Sequence, residues 1–287
     1  MRSKSRSSAM KKLDAHAATY RWLRRPLCRR YAVVVFNTFS KLKQRIDPNS
    51  NRTICWAFGT LLNGDSEILG AWHPDTNAAT PPEVFGQLYH RGIEFVRCGL
   101  GDLVDVEAAF KAAFRNSATY PSIEQTLTAT LADVEPRHRS GMSRLLRAAV
   151  GDPVDEGSTV SSPDISSAEL RERYPKLTLQ WHEAVARFQP LFALPEPYCR
   201  LVRSVDQAAA EVQGRLEREI HRHGPFVDSD EAFDFVVARL RRADLQLDRE
   251  ARAAQHARDA SAWQSRRRLP PSGGTVGATT LAYRVLP

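Results

Sequence analysis

Several features that would reveal a function at once are missing from this 287-residue sequence. No run of about 18 apolar residues is present to span a membrane. The basic opening, MRSKSRSSAMKK, lacks the apolar core of a secretory signal. The four cysteines form no CxxC pair, which argues against a zinc knuckle and a disulfide framework. These absences predict a cytoplasmic protein with reduced thiols and no membrane partner.

Two common catalytic motifs are missing as well. Gly99 and Gly101 form a G-x-G pair after an apolar stretch, but no third glycine completes a dinucleotide-binding loop. No G-x-S-x-G motif marks a serine nucleophile. We therefore expect neither a dinucleotide-binding enzyme nor a serine hydrolase of that type.

Positive charge is what the sequence has in excess. Its 41 Lys and Arg residues outnumber its 33 Asp and Glu residues, which gives a formal net charge of +8. Residues 2–30 carry ten of the basic residues and one acid, Asp14, and a second basic group lies at 266–268. This distribution suits a polyanionic partner, although a solubilising tail would have the same composition. The predicted nucleic-acid contacts are Arg24, Arg25, Arg29 and Arg30.

The hydrophobic pattern of the first half alternates between strands and helices. The stretch VVVF within residues 31–45 is typical of a buried strand, and Asn63-Gly64-Asp65 is typical of a hairpin turn. Proline ends the first predicted helix and begins the second. The predicted elements are a helix at 11–25, strands at 31–45, 52–62 and 67–72, a helix at 80–90, a strand at 93–100 and a helix at 104–114.

The second half is predicted to be helical. Residues 154–167, rich in Ser, Pro, Asp and Gly, have the composition of a linker, and the tail after Arg252 is expected to fray. The predicted helices cover 123–150, 168–192 with a break at Pro175, 202–221 and 231–245. Three antiparallel strands followed by alternating helix and strand are the opening of an RNase H-like fold, so the predicted class is α/β.

Four segments, in the correct order, resemble the mutator-type transposases of bacterial insertion sequences. They are LDAHAATYRWLRRPL (13–27), FGTLLNGDSEILGAW (58–72), HRGIEFVRCGLGD (90–102) and YPKLTLQWHEAVARFQPLFALPEPYCRLV (174–202). The first looks like the helix that precedes the family's first catalytic strand, and the third looks like its segment of Arg-Gly, strand and Asp. The resemblance covers roughly residues 13–248.

The resemblance implies an RNase H-like core with a helical insertion. The expected segments are a basic arm and leading helix at 1–30, the first part of the core at 31–122, the helical insertion at 123–195, the C-terminal core helices at 196–250 and a flexible tail at 251–287. The family's DNA-binding segment lies before its core. Since about thirty residues precede the first strand here, most of that segment is expected to be absent.

The resemblance also implies DNA as the partner and a triad of two Asp and one Glu that holds two divalent ions. Mg²⁺ or Mn²⁺ would be the cofactor of an active protein, because these hard cations favour carboxylate oxygens. The first Asp of the triad falls on Phe36, and a one-residue slip gives Asn37. Phe binds no metal and Asn offers only a neutral oxygen, so the first ligand is predicted to be lost.

The other two acids of the triad have candidates. Asp102 matches the second Asp, with Asp105 as a neighbouring metal ligand; alternatively, Asp102 only caps the following helix. The acid nearest to the third position is Glu211, but the match puts Ala210 opposite the family's Glu, and one helical residue rotates a side chain by about 100°. Alternatively, Glu211 only pairs with Arg215 at i+4.

These matches predict a transposase-like protein for DNA-mediated transposition of an insertion sequence, with impaired DNA cleavage and strand transfer. The family's Cys-x-x-His pair is missing too, since the matching segment, 120–131, contains neither residue type. The alternative is a non-enzymatic DNA-binding or regulatory protein that forms homo-oligomers, or mixed oligomers with an intact transposase. A protein-interaction module that keeps only the fold, and an active enzyme rebuilt around Asp102, Asp105 and Glu211, also stay open.

Overall fold

The computed structural model describes most of the chain, in six stretches. They are residues 17–40, 42–46, 53–73, 80–101, 107–149 and 174–267. The chain divides into two compact units, Met1–Asp248 and Arg249–Pro287. The first unit holds the sheet and its helices, and in the second unit the described residues are helical. Within these six stretches, no helix combines the length and the apolar character that crossing a membrane requires.

The elements of the fold are five strands and eight helices within the described stretches. The strands are β1 (Arg30–Phe39), β2 (Ile54–Leu61), β3 (Ser66–Trp72), β4 (Phe95–Leu100) and β5 (Ala118–Tyr120). The helices are α1 (residues 17–23), α2 (Pro81–His90), α3 (Glu107–Ala113), α4 (Ile123–Thr130), α5 (Pro136–Ala149), α6 (Pro175–Phe192), α7 (Glu196–His223) and α8 (Ser229–Arg267).

The strands form one mixed sheet in the order β3-β2-β1-β4-β5. The pairs β1–β2 and β2–β3 are antiparallel, whereas β1–β4 and β4–β5 are parallel. The predicted hairpin between β2 and β3 is confirmed, and its Gly64 has φ +91°, a conformation that glycine adopts without strain. The short strand β5 was not among the predicted elements.

Both faces of the sheet are covered, which explains the continuous apolar run in β1. Val33 and Val35 belong to a core cluster with residues of α1 and α4–α8, whereas Val34 belongs to a second cluster with residues of α2 and α3. Successive side chains of a strand point to opposite faces. The strand that the sequence marks as buried is therefore the centre of the sheet, with a helical layer on each side.

Three predicted boundaries are wrong, and the helix predicted at 123–150 is divided into α4 and α5. β1 ends at Phe39 rather than Arg45, because the chain leaves the sheet and pairs with a distant loop: Phe226 N donates to the Lys43 carbonyl at 2.9 Å, and Arg45 N donates to the Phe226 carbonyl at 2.7 Å. α7 begins at Glu196, because prolines are tolerated in the first turn, where backbone N–H groups lack helical partners. α8 continues to Arg267 through Ala, Arg and Gln residues, which are good helix formers.

Candidate functional site

A cleft of about 570 Å³ opens where β1 and β4 end. Its walls come from the end of β1, from the turn after β4, from α4 and the residues just before it, from Arg187 of α6, and from one face of α7. Amide and hydroxyl side chains dominate the lining, together with Arg187, Glu124 and Glu217. In sheets with parallel strands, the carboxyl ends of the strands are the usual place for ligand sites. The cleft is therefore the candidate site of this protein.

The register of β1 decides which side chain faces the cleft. Phe36 turns to the opposite face, where its ring contacts Phe85 and Phe110 at centroid distances of 5.3 and 6.0 Å. Asn37 lines the cleft and is only 5% exposed. Of the two sequence matches for the first triad position, the structure thus brings Asn37 and not Phe36 to the cleft.

The Asn37 side chain is held by Gln125 of α4. Gln125 Nε2 donates to Asn37 Oδ1 at 2.8 Å and to the Phe36 carbonyl oxygen at 2.7 Å. Asn37 Nδ2 is buried and has no hydrogen-bond partner among the described residues. The end of β1 therefore presents amide groups, not a carboxylate, to the cleft.

One face of α7 forms the opposite wall. Ala210, Gln213, Gly214 and Glu217 line the cleft, at the i, i+3, i+4 and i+7 spacing of one helix face. Gln213 links this wall to the sheet. Its Nε2 donates to the Thr38 carbonyl at 3.0 Å and to Glu217 Oε1 at 2.7 Å, and its Oε1 accepts from the indole N–H of Trp56 at 2.7 Å.

Glu211, the predicted third acid, is exposed and is not one of the cleft-lining residues. Its Oε1 accepts a hydrogen bond from Gln207 Nε2 at 3.2 Å. Arg215, which the sequence offers as an i+4 ion partner, donates instead to Gln246 Oε1 at 3.2 Å. Ala210, the residue before Glu211, occupies the cleft wall.

Asp102 and Asp105 lie outside the described residues, so their positions are not part of this geometry. Gly101, the residue before Asp102, lines the cleft and has φ +138°. A Cβ at this position would lie 2.9 Å from the Phe36 carbonyl oxygen. Glycine is therefore required where the chain leaves β4 beside the end of β1.

A buried carboxylate fixes the first turn of α4. Asp206 of α7 is 2% exposed and accepts from Ser122 Oγ at 2.6 Å and from Glu124 N at 3.1 Å. Burial raises the pKa of Asp206 to about 6, although these hydrogen bonds act in the opposite direction. Sequence reasoning missed this residue.

The first turn of α4 also holds a buried acid of its own, Glu124, which pairs with an arginine. Glu124 accepts two hydrogen bonds from the guanidinium of Arg147, one of them from Nη2 at 2.5 Å. This bidentate geometry is the strong form of an Arg–carboxylate pair. The carboxylate of Glu124 is therefore held by α5 although it lines the cleft.

The described residues at the end of β1 do not fit a divalent cation. Mg²⁺ and Mn²⁺ prefer carboxylates and other oxygens with free lone pairs. Here Phe36 points away, and Asn37 offers only a neutral amide oxygen, one lone pair of which accepts from Gln125. In the described stretches, no three His, Cys, Asp or Glu side chains are grouped as a metal site requires.

The four arginines predicted to bind nucleic acid have different surroundings. Arg24 and Arg30 are exposed, and the guanidinium of Arg24 lies 5.6 Å from the ring centre of Tyr20. Arg29 is exposed too, but its Nη2 pairs with Glu94 Oε1 at 2.5 Å. Arg24 and Arg30 are thus exposed and form no ion pair with a carboxylate within the described residues.

Arg25 is part of an internal network instead. Its Nη2 donates to Glu67 Oε2 at 3.0 Å and to the Ile68 carbonyl at 2.7 Å, and it lies 3.2 Å from Asp244 Oδ2. Asp244 Oδ1 accepts from the Ile68 N–H at 2.7 Å. These contacts satisfy the outer backbone groups of the edge strand β3, which would otherwise be open to pairing with another strand. The surroundings of Arg25 favour a structural role.

Sequence reasoning missed Gln125, Gln213 and Glu217. Gln213 and Glu217 could have been found from Ala210, since they lie three and seven positions later and so share its helix face. Gln125 gave no signal, because its partners lie 88 and 89 residues earlier in the chain.

Comparison with known proteins gives one family. The family model described as "Transposase, Mutator family" matches residues 1–246. A "Probable transposase for insertion sequence element" of Corynebacterium diphtheriae is 24% identical over 237 residues, which cover 82% of this chain and 66% of that protein. The "Transposase for insertion sequence element ISRM3" of Rhizobium meliloti (strain 1021) is 24% identical over 234 residues, which cover 80% and 58%. The chain thus spans less than two thirds of the length of these relatives.

Proposed function

Because this chain belongs to the Mutator family of transposases, we propose that it acts in DNA-mediated transposition of an insertion sequence as a DNA-binding protein with impaired cleavage and strand-transfer chemistry. The observation that carries the impairment is the register of β1. This strand presents Asn37 to the cleft and turns Phe36 away from it. A carboxylate that two metal ions would need is therefore replaced by a neutral amide.

An RNase H-like core belongs to the same proposal. It is supported by the sheet, in which three antiparallel strands are followed by two parallel strands on the other side of β1. The helices between β5 and α7 would then be the insertion. In this scheme α7 is the core helix that should carry the third acid, and its cleft face holds Ala210 at the matched position.

The acids that remain would determine how much cleavage activity is left. In the proposal, Asp102 is the surviving second ligand, Asp105 its neighbour, and Glu211 an exposed acid beside the lost third position. Mg²⁺ or Mn²⁺ would be needed for any residual activity, since hydrolysis and strand transfer at phosphates depend on ions that stabilise the attacking and leaving oxygens. Loss of a ligand from such a site costs orders of magnitude in rate.

Cleavage of supercoiled plasmid in the presence of Mn²⁺ tests the impairment. We compare the wild-type protein with Asp102→Ala, and with Asp133→Ala as a control at an exposed acid. The proposal expects the same background nicking from all three proteins. Nicking by the wild type that disappears only in Asp102→Ala would overturn the impairment and support an active, rebuilt site.

The DNA-binding part of the proposal rests on two exposed cations, Arg24 just after α1 and Arg30 at the start of β1. Each phosphate contact contributes about one unit to the slope of log affinity against log salt concentration. We expect Arg24→Ala/Arg30→Ala to reduce that slope by about 2. The control, Arg218→Ala/Arg242→Ala, removes equal charge from exposed positions elsewhere in the chain. Equal slopes for the two double variants would contradict the assignment of Arg24 and Arg30 to DNA binding.

A regulatory role is the second candidate, and the polar, carboxylate-poor end of β1 favours it. A protein that binds DNA and pairs with an intact transposase, without cleaving, would inhibit that transposase. Both homo-oligomers and such mixed oligomers are part of this proposal, as is a cytoplasmic location. Mixing the chain with an active member of the family should lower DNA cleavage in proportion to the mixing ratio. Unchanged cleavage at excess of this chain would contradict the regulatory role.

A further inference from the structure

We infer that Gln125 lowers the affinity of the β1 end of the cleft for a divalent cation, and that it would do so even if a carboxylate were restored at position 37. The inference rests on the proposed function only in treating the cleft as the place of the lost chemistry. It assigns to Gln125 the role of a hydrogen-bond donor that competes with a cation for two oxygens at the end of β1.

The Gln125 amide engages both oxygens at the end of β1. Nε2 lies 2.7 Å from the Phe36 carbonyl oxygen and 2.8 Å from Asn37 Oδ1. A backbone carbonyl only accepts, so the Gln125 atom beside it must be the NH₂ group. The second hydrogen of that group then requires an oxygen as the nearer atom of the Asn37 amide. The Phe36 carbonyl therefore determines the orientation of both amides.

This orientation leaves one hydrogen-bond donor of Asn37 unsatisfied at the end of β1. Nδ2 of Asn37 is turned away from Gln125 and has no acceptor in the described part of the chain. Asn37 is only 5% exposed. A buried donor without a partner is costly, and an acceptor would relieve it. A cation would not relieve this cost, because a cation needs lone pairs and is repelled by the positive ends of N–H dipoles. The unsatisfied N–H group of Asn37 therefore disfavours a metal ion at this place.

The Gln125 side chain is positioned by a buried chain of hydrogen bonds. Gln125 N donates to Ser122 Oγ at 3.1 Å, which caps α4, and Ser122 Oγ donates to Asp206 Oδ1 at 2.6 Å. Ser122 and Asp206 are each 2% exposed. The first turn of α4 is thus fixed from α7, and Gln125 is held against β1 before any ligand arrives.

A new carboxylate at position 37 would meet the same amide. In Asn37→Asp, the Gln125 NH₂ group keeps its Phe36 carbonyl and donates its second hydrogen to the aspartate, which is a stronger acceptor than an amide. One of the carboxylate oxygens would then be engaged internally. Removing the Gln125 side chain as well frees that oxygen and the Phe36 carbonyl together.

Binding of Mn²⁺ alone, measured by the loss of the electron paramagnetic resonance signal of the free ion, tests the inference. The proteins are the wild type, Asn37→Asp, Asn37→Asp/Gln125→Ala and the control Asn37→Asp/Gln207→Ala, whose second change lies on the exposed face of α7. We expect Asn37→Asp/Gln125→Ala to bind Mn²⁺ at least tenfold more tightly than either Asn37→Asp or the control. Circular dichroism confirms that each variant is folded, and Asn37→Asp/Gln125→Ser replaces the alanine variant if that one is not.

Equal Mn²⁺ affinities of Asn37→Asp with and without Gln125, including no binding by either, would overturn the inference. So would tight binding by the wild type. These outcomes are distinct from failure of the proposed function, which the plasmid assay and the salt dependence of DNA binding decide without any change at Gln125.

Discussion

Substituting Asp206 by Asn tests the junction between α4 and α7, because it removes one buried charge with almost no change in volume. Asp206 is 2% exposed and accepts hydrogen bonds from Ser122 Oγ and from Glu124 N. Burial raises its pKa from the ordinary 3.8 to about 6. The folded protein therefore keeps a proton that the unfolded chain releases between about pH 4 and pH 6.

The sign and the size of the effect follow from that shift. A carboxyl group with a higher pKa in the folded state stabilises the fold more as the pH falls, and this contribution is lost as the pH rises through about 6. Between pH 7 and pH 5, the wild type should gain about 1.3 kcal/mol of unfolding free energy from Asp206. Asp206→Asn lacks this gain. At pH 7 its new NH₂ group also faces a buried donor, which costs about 1–3 kcal/mol.

Urea denaturation at pH 5, 6 and 7 measures both terms, with the fluorescence of the buried Trp56 and Trp181 as the signal. Asp133→Asn, at an exposed position, makes the same change in net charge. The difference in unfolding free energy between the wild type and Asp206→Asn should grow by about 1.3 kcal/mol from pH 7 to pH 5. The difference for Asp133→Asn should stay flat. A constant difference for Asp206→Asn would refute the reasoning, because it would show that burial leaves this carboxyl with an ordinary pKa.

Other positions respond in predictable ways under the same urea assay. Arg91→Met should lose about 3 kcal/mol, because its buried guanidinium donates to two backbone carbonyls, including that of Leu69 at 2.6 Å; an unchanged midpoint would contradict this role. Gly101→Ala should lose about 1–3 kcal/mol, because φ is +138° and the new Cβ would lie 2.9 Å from the Phe36 carbonyl oxygen. Gly86→Ala should gain about 0.5–1 kcal/mol, because it is helical and no atom lies within 4 Å of the new Cβ. Responses of the same sign in the two glycine variants would contradict the backbone argument.

The sequence predicted the elements of the sheet well because their signals are local. The apolar run in β1, the turn at Asn63-Gly64 and the proline at the start of α2 are each encoded within a few residues. The end of β1 was misplaced because its limit is set elsewhere: residues 43–46 pair with the loop around Phe226, far away in the chain. Tertiary pairing of this kind leaves no periodic signal in the strand itself.

The site was harder to predict because a one-residue choice of register separates opposite faces of a strand. From the sequence, the first Asp of the triad was matched to Phe36, and Asn37 followed from a one-residue slip. The structure distinguishes them through two long-range contacts: the ring of Phe36 against Phe85 on one face, and the amide of Asn37 against Gln125 on the other. The partners of both residues are brought there by the fold, so no spacing rule within β1 could have selected between them.

The same contacts explain why an amide suits position 37. A carboxylate at position 37 would be about as buried as Asn37, which is 5% exposed, and a buried charge needs a partner. An amide lowers that cost, and Gln125 satisfies its oxygen. Asp206, the buried acid that α7 retains, is used to hold the first turn of α4, and so to hold Gln125 itself. The position of Gln125 beside β1 is therefore set from α7, through the first turn of α4.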